Sequence, residues 1–199
     1  MRCSRLGLMK NSDELVKYAE RYFFDAEHSL QVLKLSELLF ECLTGLHKLG
    51  KSYLFSLQAA AILHDIGLHN GATKHHKSSC DIIMADPPPA IDPDSLARIA
   101  CIARYHRKAL PGPSHAVYSH LSSRERGVVQ KLSAILRIAD GMDYSHESCV
   151  DSLDCDIKPD KVVIHLKAKC DCKAGIQQAL KKSDLFKQIF GRDVEFEEH

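Results

Sequence analysis

The sequence predicts a mainly α-helical bundle over residues 1–150, followed by a small α+β subdomain over residues 151–199. Three observations carry that reading. Capping signals ahead of apolar runs at helical spacing recur through the first 150 residues. One run, Leu54 to His64, is apolar on nearly every side, as a central buried helix is. Beyond Asp151 the pattern changes to short β-branched runs.

Taken in order, Asn11 with Glu14 three residues on forms a capping box, and a helix should run from there to the cluster Tyr22-Phe23-Phe24. Asp25 caps a longer helix whose inner face holds Leu35, Leu38, Leu39, Cys42 and Leu46. Ser52 opens the buried helix, which stops at Asp65-Ile66-Gly67. Leu68 to Lys74 reads as a loop, and a short helix with Ile82, Ile83 and Met84 ends at Pro87-Pro88-Pro89. Asp92-Pro93 is a cap with proline at the first helical position, opening a helix to about His106. Ser122 with Glu125 starts another, whose inner stripe is Val128, Leu132, Ile135, Ala139 and Met142. Val162 to Leu166 and Val194 to Phe196 read as strands, with Ala174 to Lys182 a helix between them.

Of 199 residues 45% are hydrophobic and 27% charged, enough apolar surface to bury a core. Twenty-seven Lys+Arg against 26 Asp+Glu leave a formal charge of +1, which argues against a nucleic-acid coat or an anionic-membrane binder. The basic stretches also lack interleaved aromatics, a further count against nucleic acid. No apolar run reaches the length of a membrane span, and the first ten residues do not read as a signal peptide, so a cytoplasmic protein is expected. In such a compartment the eight cysteines read as thiols, with Cys42, Cys80 and Cys101 as small buried hydrophobes. Cys149, Cys155, Cys170 and Cys172 offer an alternative as a zinc site, although their spacing lacks the common C-x-x-C pairs.

Twelve histidines and no tryptophan are the unusual totals, and histidine is the commonest metal ligand. His28, the pair His64-Asp65, and Asp140 fall on three different core helices, whose side chains can meet at one bundle centre. Two imidazoles and two carboxylates suit Mn, Fe, Ni, Co or Zn, with Mg a further option, better than an ion that prefers thiolates. Such a shell keeps a position open for water or substrate. Taken singly, each residue reads equally as a helix cap or a polar residue at a helix margin. An unpaired carboxylate at the end of an apolar helix is costly, however, and this favours the metal.

These residues sit in ordered motifs: Asp25-Ala26-Glu27-His28-Ser29, Leu63-His64-Asp65-Ile66-Gly67, His75-His76-Lys77-Ser78, Arg104-Tyr105-His106-Arg107-Lys108 and Leu136 to Asp143. Together they resemble the HD-domain metal-dependent phosphohydrolases, and more nearly the C-terminal HD-like domain of the exopolyphosphatase and guanosine-pentaphosphatase group. The resemblance implies an HD-domain helical bundle in which His28, His64, Asp65 and Asp140 ligate the metal. Further histidines complete a second site in two-metal HD enzymes, and His75, His76 and His106 occupy that interval, so one or two ions are expected. Full-length exopolyphosphatases resemble this chain only in their C-terminal part. Their polyphosphate chemistry is associated with an N-terminal actin-like region, so that activity is not carried over.

Lys77, Arg104, Arg107 and Lys108 lie beside the histidines, where basic groups can hold phosphate oxygens. Read singly, Arg107 and Lys108 are cations favoured at a helix C-terminus. The expected function is hydrolysis of a phosphate mono- or diester of a nucleotide or another small phosphorylated compound by metal-activated water. Asp65 would orient or deprotonate the nucleophile, with His106 and Lys77 beside it as further catalytic groups. The alternative is a non-catalytic module that keeps the HD fold and binds a phosphorylated ligand for a regulatory purpose. A homodimer and a monomer are both compatible with the apolar terminal strands.

Overall fold

In the computed structural model, which describes residues 10–198, α1 (Lys10–Ala19) begins ahead of the cap expected at Asn11 and ends before the Tyr22-Phe23-Phe24 cluster. The reading of the first residues as lacking a leader lies outside the described residues. α2 (Ala26–Cys42) starts at Asp25, whose carboxylate accepts the His28 N–H at 3.1 Å. A single turn, α3 (Thr44–His47), and a 3₁₀ turn (Lys51–Tyr53) lead into α4 (Leu54–Leu63). The expected loop after α4 begins as a 3₁₀ turn over Ile66–Asn70, and α5 (His75–Ala85) already includes both histidines of its motif in its first turn.

α6 (Pro93–Arg104) is capped by Asp92, which accepts the Ser95 N–H, and has proline at its start. After the short α7 (Ala116–Ser119), α8 (Ser123–Met142) is capped by Ser122, which accepts the Glu125 N–H at 3.2 Å. α1, α2, α6 and α8 all pack on α4. This explains why Leu57 to Leu63 are buried on every side: burial of each apolar side chain contributes about 1.5–3 kcal/mol, and α4 has no face left for water.

The remainder forms a three-stranded sheet from β1 (Val150–Ile157), β2 (Lys161–Ala168) and β3 (Asp193–Glu198), in that spatial order. β1 and β2 are an antiparallel hairpin, whereas β2 and β3 are parallel and joined by α9 (Lys173–Lys182) and α10 (Asp184–Phe190). The fold class is therefore mainly α with a small α+β part at the C-terminal end. Val162, Ile164, Leu166, Leu185 and Phe186 belong to the same contiguous core as the helices. The seam between α8 and α9 is a close backbone approach. A Cβ added at Gly141 would lie 2.6 Å from the Ala179 Cα, and one at Gly175 would collide with the Met142 carbonyl oxygen.

The thiol expectation needs correction. Cys42, at the end of α2, is bonded to Cys155 on β1, and Cys149 is bonded to Cys170, with Cα separations of 5.6 and 5.1 Å. These pairings remove three of the four cysteines of the alternative zinc site, and Cys172 remains as a buried thiol. The reason lies in tertiary packing: sequence separations of 113 and 21 residues give no hint that the Cα atoms fall within disulfide reach. Cys80 and Cys101 are buried thiols, as expected. Among the described residues no helix is long and apolar enough to cross a membrane.

Candidate metal centre

Three histidines are oriented by the same local device. The Nδ1 atoms of His64, His75 and His106 lie 2.8, 3.1 and 2.7 Å from the carbonyl oxygens of Ala61, Ala72 and Ala103, each three residues earlier. A carbonyl oxygen only accepts, so each Nδ1 carries a proton, and in its neutral form each ring presents its Nε2 lone pair to the interior. His28 is held differently: its Nδ1 lies 2.8 Å from an Oδ2 of the buried Asp143, whose other oxygen accepts the Ser148 N–H at 2.8 Å. A ring nitrogen fixed to a carboxylate or carbonyl while the other faces inward is the usual support of a metal-ligating histidine.

The inward Nε2 atoms converge with two carboxylates. His28 and His64 approach to 3.3 Å, His75 and His106 to 3.4 Å. Asp65 lies between the pairs, with Oδ2 3.6 Å from His64 and Oδ1 3.1 and 3.5 Å from His75 and His106. Asp140 Oδ1 is 3.5 Å from His28 and 3.8 Å from His64. Two sets of ligand atoms result, His28 with His64 and Asp65, and Asp65 with His75 and His106, each within 4.8 Å of one another. Asp65 belongs to both. Its Oδ1 is buried and makes no hydrogen bond, because the Nε2 atoms facing it at 3.1 and 3.5 Å are themselves acceptors. Lone pairs facing lone pairs in a buried site is an arrangement that a cation relieves, so the donor set fits one or two divalent ions.

The electrostatics agree. Burial alone pushes the His28 imidazole towards neutrality, yet the carboxylates of Asp140 and Asp143 hold its pKa at about 10. Burial opposes ionisation of Asp65, and it is positive charge on the surrounding imidazoles, His64 first, that holds its carboxyl below the usual range, a charge that a bound cation would replace. Asp140 is likewise held low against burial, chiefly by Lys182, whose ammonium pairs with its Oδ2, and by His28. Burial keeps His106 well below an ordinary histidine. Arg107 Nη1, 3.3 Å from the His75 Nε2, donates to that ring from the rim.

Above these groups lies a pocket of about 460 Å³, a size suited to a small ligand. Arg107 and Lys108 line it, together with Arg137, Tyr144, His146, Gln178, Lys181 and Lys182, none of which stood out in the sequence. Arg137 is committed to structure: it donates to the carbonyls of Lys182 and Tyr105 and pairs with Asp184 at 2.7 Å. His146 stacks on His28 with centroids 3.9 Å apart, its Nδ1 2.8 Å from Asp25. The lysines of α9 reach the pocket because Gly141 and Gly175 let α9 lie directly against α8.

Three of the expected residues fall outside this pocket and both ligand sets. Lys77 and Arg104 do not line this pocket; Lys77 borders a neighbouring hollow, and Arg104 lines a small one with Cys80 and His115. His76 joins neither ligand set. Consecutive residues on a helix are about 100° apart, so His75 and His76 cannot face the same centre. A usable signal exists in the sequence: Ala-x-x-His occurs at Ala61/His64, Ala72/His75 and Ala103/His106, and does not occur at His76.

No curated protein matches the chain. The family described as "Ppx/GppA phosphatase, domain III" matches residues 13–188, which take in every helix of the centre and the lysines of α9. The chain therefore belongs to the Ppx/GppA phosphatase domain III family.

Proposed function

We propose that the chain is a metal-dependent phosphohydrolase of the HD type, acting on a phosphate mono- or diester of a nucleotide or another small phosphorylated compound. The observation that carries this is Asp65: a buried carboxylate oxygen without a hydrogen bond, common to two sets of inward imidazoles, beneath a cationic pocket. His28, His64, Asp65 and Asp140 would hold one divalent transition ion, and Asp65, His75 and His106 a second. Such an ion, when bound, supplies Lewis acidity and lowers the pKa of a bound water.

The chain's own residues do the rest. The carbonyls of Ala61, Ala72 and Ala103 keep the Nε2 lone pairs directed inward, so no reorganisation is needed on binding. Arg107, Lys108 and Lys181 line the pocket without a carboxylate partner and are placed to grip phosphate oxygens. Lys182 fixes the orientation of Asp140. Asp65, common to both ligand sets and open to the pocket, orients the attacking oxygen.

Elemental analysis of the wild-type chain beside His64→Ala tests the reading. One or two equivalents of transition metal, lost in the variant, together with turnover in a screen of phosphate esters, is the expected result. No metal after reconstitution with Mn, Fe, Ni and Zn would refute it. The match to a third domain of a phosphatase family supports a second reading, a phospholigand-binding module without turnover. Metal retained with no hydrolysis of any ester, but stabilisation by a phosphorylated ligand, would establish that one.

A further inference from the structure

Beside the metal pocket, and sharing its Arg107 and Lys108 wall, is a second hollow of about 530 Å³ lined by Ala72, Thr73, Lys74, His76, Lys77 and Ala109 in addition. Four cations converge on it, and no acidic residue lines it. Among the described residues none of the four forms an ion pair with a carboxylate, and Arg107 makes a side-chain contact to His75 at 3.3 Å. Concentrating like charge without a counter-ion is unfavourable, and an anion at that point relieves it.

Two further features point the same way. The hollow lies at the start of the eleven-residue α5, whose N-cap, Lys74, provides no side-chain acceptor for the first-turn N–H groups. Uncapped N–H groups at a helix start bind oxyanions. Independently, the His76 imidazole is only 6% exposed, lines this hollow and has no hydrogen-bond partner among the described residues. Its ring nitrogens are not sealed from solvent, so the hollow is where a ligand oxygen can complete them.

We propose that this hollow is a second oxyanion site, in which Lys74, His76, Lys77, Arg107 and Lys108 hold a phosphate group apart from any at the metal centre. The neutral imidazole donates one hydrogen bond from the floor, the helix start faces the oxyanion, and the four cations enclose it. The phosphate is either free inorganic phosphate or the second phosphate of a ligand whose first occupies the metal pocket across the Arg107–Lys108 wall. Binding of free phosphate here does not depend on the hydrolase reading; the bridging case does.

Titration of the full-length, isotopically labelled protein with inorganic phosphate, followed by amide and imidazole NMR shifts, tests the site. The expected result is a saturable shift of His76, Lys74 and Lys77 that persists in Lys181→Glu, in which the metal pocket gains a negative charge. Lys74→Ala/Lys77→Ala should weaken that binding by about tenfold or more, one charged contact being worth about that factor. His76→Gln, which retains a donor, should bind more tightly than His76→Leu. Propane-1,3-bisphosphonate then separates the sources: about tenfold tighter binding than methylphosphonate, abolished by Lys181→Glu, identifies the bridging ligand, and equal binding identifies free phosphate. Shifts confined to the metal pocket, or a response that never saturates and is matched by chloride, would overturn the proposal whatever the fate of the metal centre.

Discussion

Replacing Asp143 separates support of the metal from support of the fold. Asp143 is 2% exposed and uses both oxygens, one on the His28 Nδ1 at 2.8 Å and one on the Ser148 N–H at 2.8 Å. Asp143→Ala leaves both donors unsatisfied, and a lost hydrogen bond to a charged group costs about 1.5–3 kcal/mol. In a chain of this length that lowers the melting temperature by about 3–12 °C, at 2–4 °C per kcal/mol. Asp143→Asn behaves differently. Its carbonyl can still accept the Ser148 N–H, but its amide NH2 then faces His28 and accepts no proton from Nδ1. The ring adopts the other tautomer, which puts a hydrogen on the inward Nε2 and blocks it as a ligand. Both variants should therefore lose metal affinity about 10–100-fold, whereas only Asp143→Ala should suffer most of the stability loss. The assay is metal content after dialysis against graded chelator, alongside thermal melting. Asp143→Asn that keeps metal as tightly as wild type would refute the assignment of His28 as a ligand oriented through Asp143.

Three other outcomes are expected. In chelated protein the raised pKa of His28 stabilises the fold fully below its ordinary value of 6.5 and is lost as pH rises through about 10. Stability should fall across that window by on the order of a few kcal/mol, read as a falling melting temperature, and His28→Gln should flatten the fall; an unchanged slope in the variant would contradict it. Gly141→Ala forces α9 off α8, because the new Cβ would lie 2.6 Å from the Ala179 Cα. It should cost about 1–3 kcal/mol and weaken phosphate binding by displacing Lys181 and Lys182, and a wild-type melting curve would count against the seam. Reduction, or Cys42→Ser, should lower stability by about 2–4 kcal/mol through loss of the tie between α2 and β1; thiol titration that finds Cys42 and Cys155 free in the oxidised protein would remove the basis of this expectation.

What could be read in advance follows the range of the interaction involved. The starts of α2, α6 and α8 were legible because Asp25, Asp92 and Ser122 act on N–H groups three residues away. β1 was not, since Asp151, Asp154 and Asp156 carry little strand propensity and the strand forms only by pairing with β2. The ordered His28, His64, Asp65 and Asp140 could be singled out because their motifs and order along the chain are written in the sequence, with His28 and Asp140 on α2 and α8 and His64-Asp65 directly after the apolar α4. Choosing His75 over His76 required the ring orientation that Ala72 imposes. Lys182 was invisible: it meets Asp140 from 42 residues away, across a seam set by two glycines with no side chain to signal it.

The sign of the pocket's charge restricts what it can hold, whether or not the ligand is cleaved. Of its five Arg and Lys side chains, Arg137 is neutralised by Asp184 and Lys182 by Asp140, which leaves Arg107, Lys108 and Lys181 against the single carboxylate of Asp65. Each divalent ion placed on the histidines adds two more positive charges. Metal loading therefore raises affinity for a phosphate dianion and lowers it for any neutral or cationic ligand, because the charges act through a partly buried, weakly screened space. Two of the lysines come from α9, after the sheet hairpin, and all the proposed metal ligands come from residues 28–140. One of the three unpaired cations, Lys181, thus lies on a different part of the chain from the metal ligands, and the α8–α9 seam brings it to the site. A chain that kept the metal but loosened that seam would retain the ion and bind the anion more weakly, because Lys181 would leave the pocket while Arg107 and Lys108 stayed.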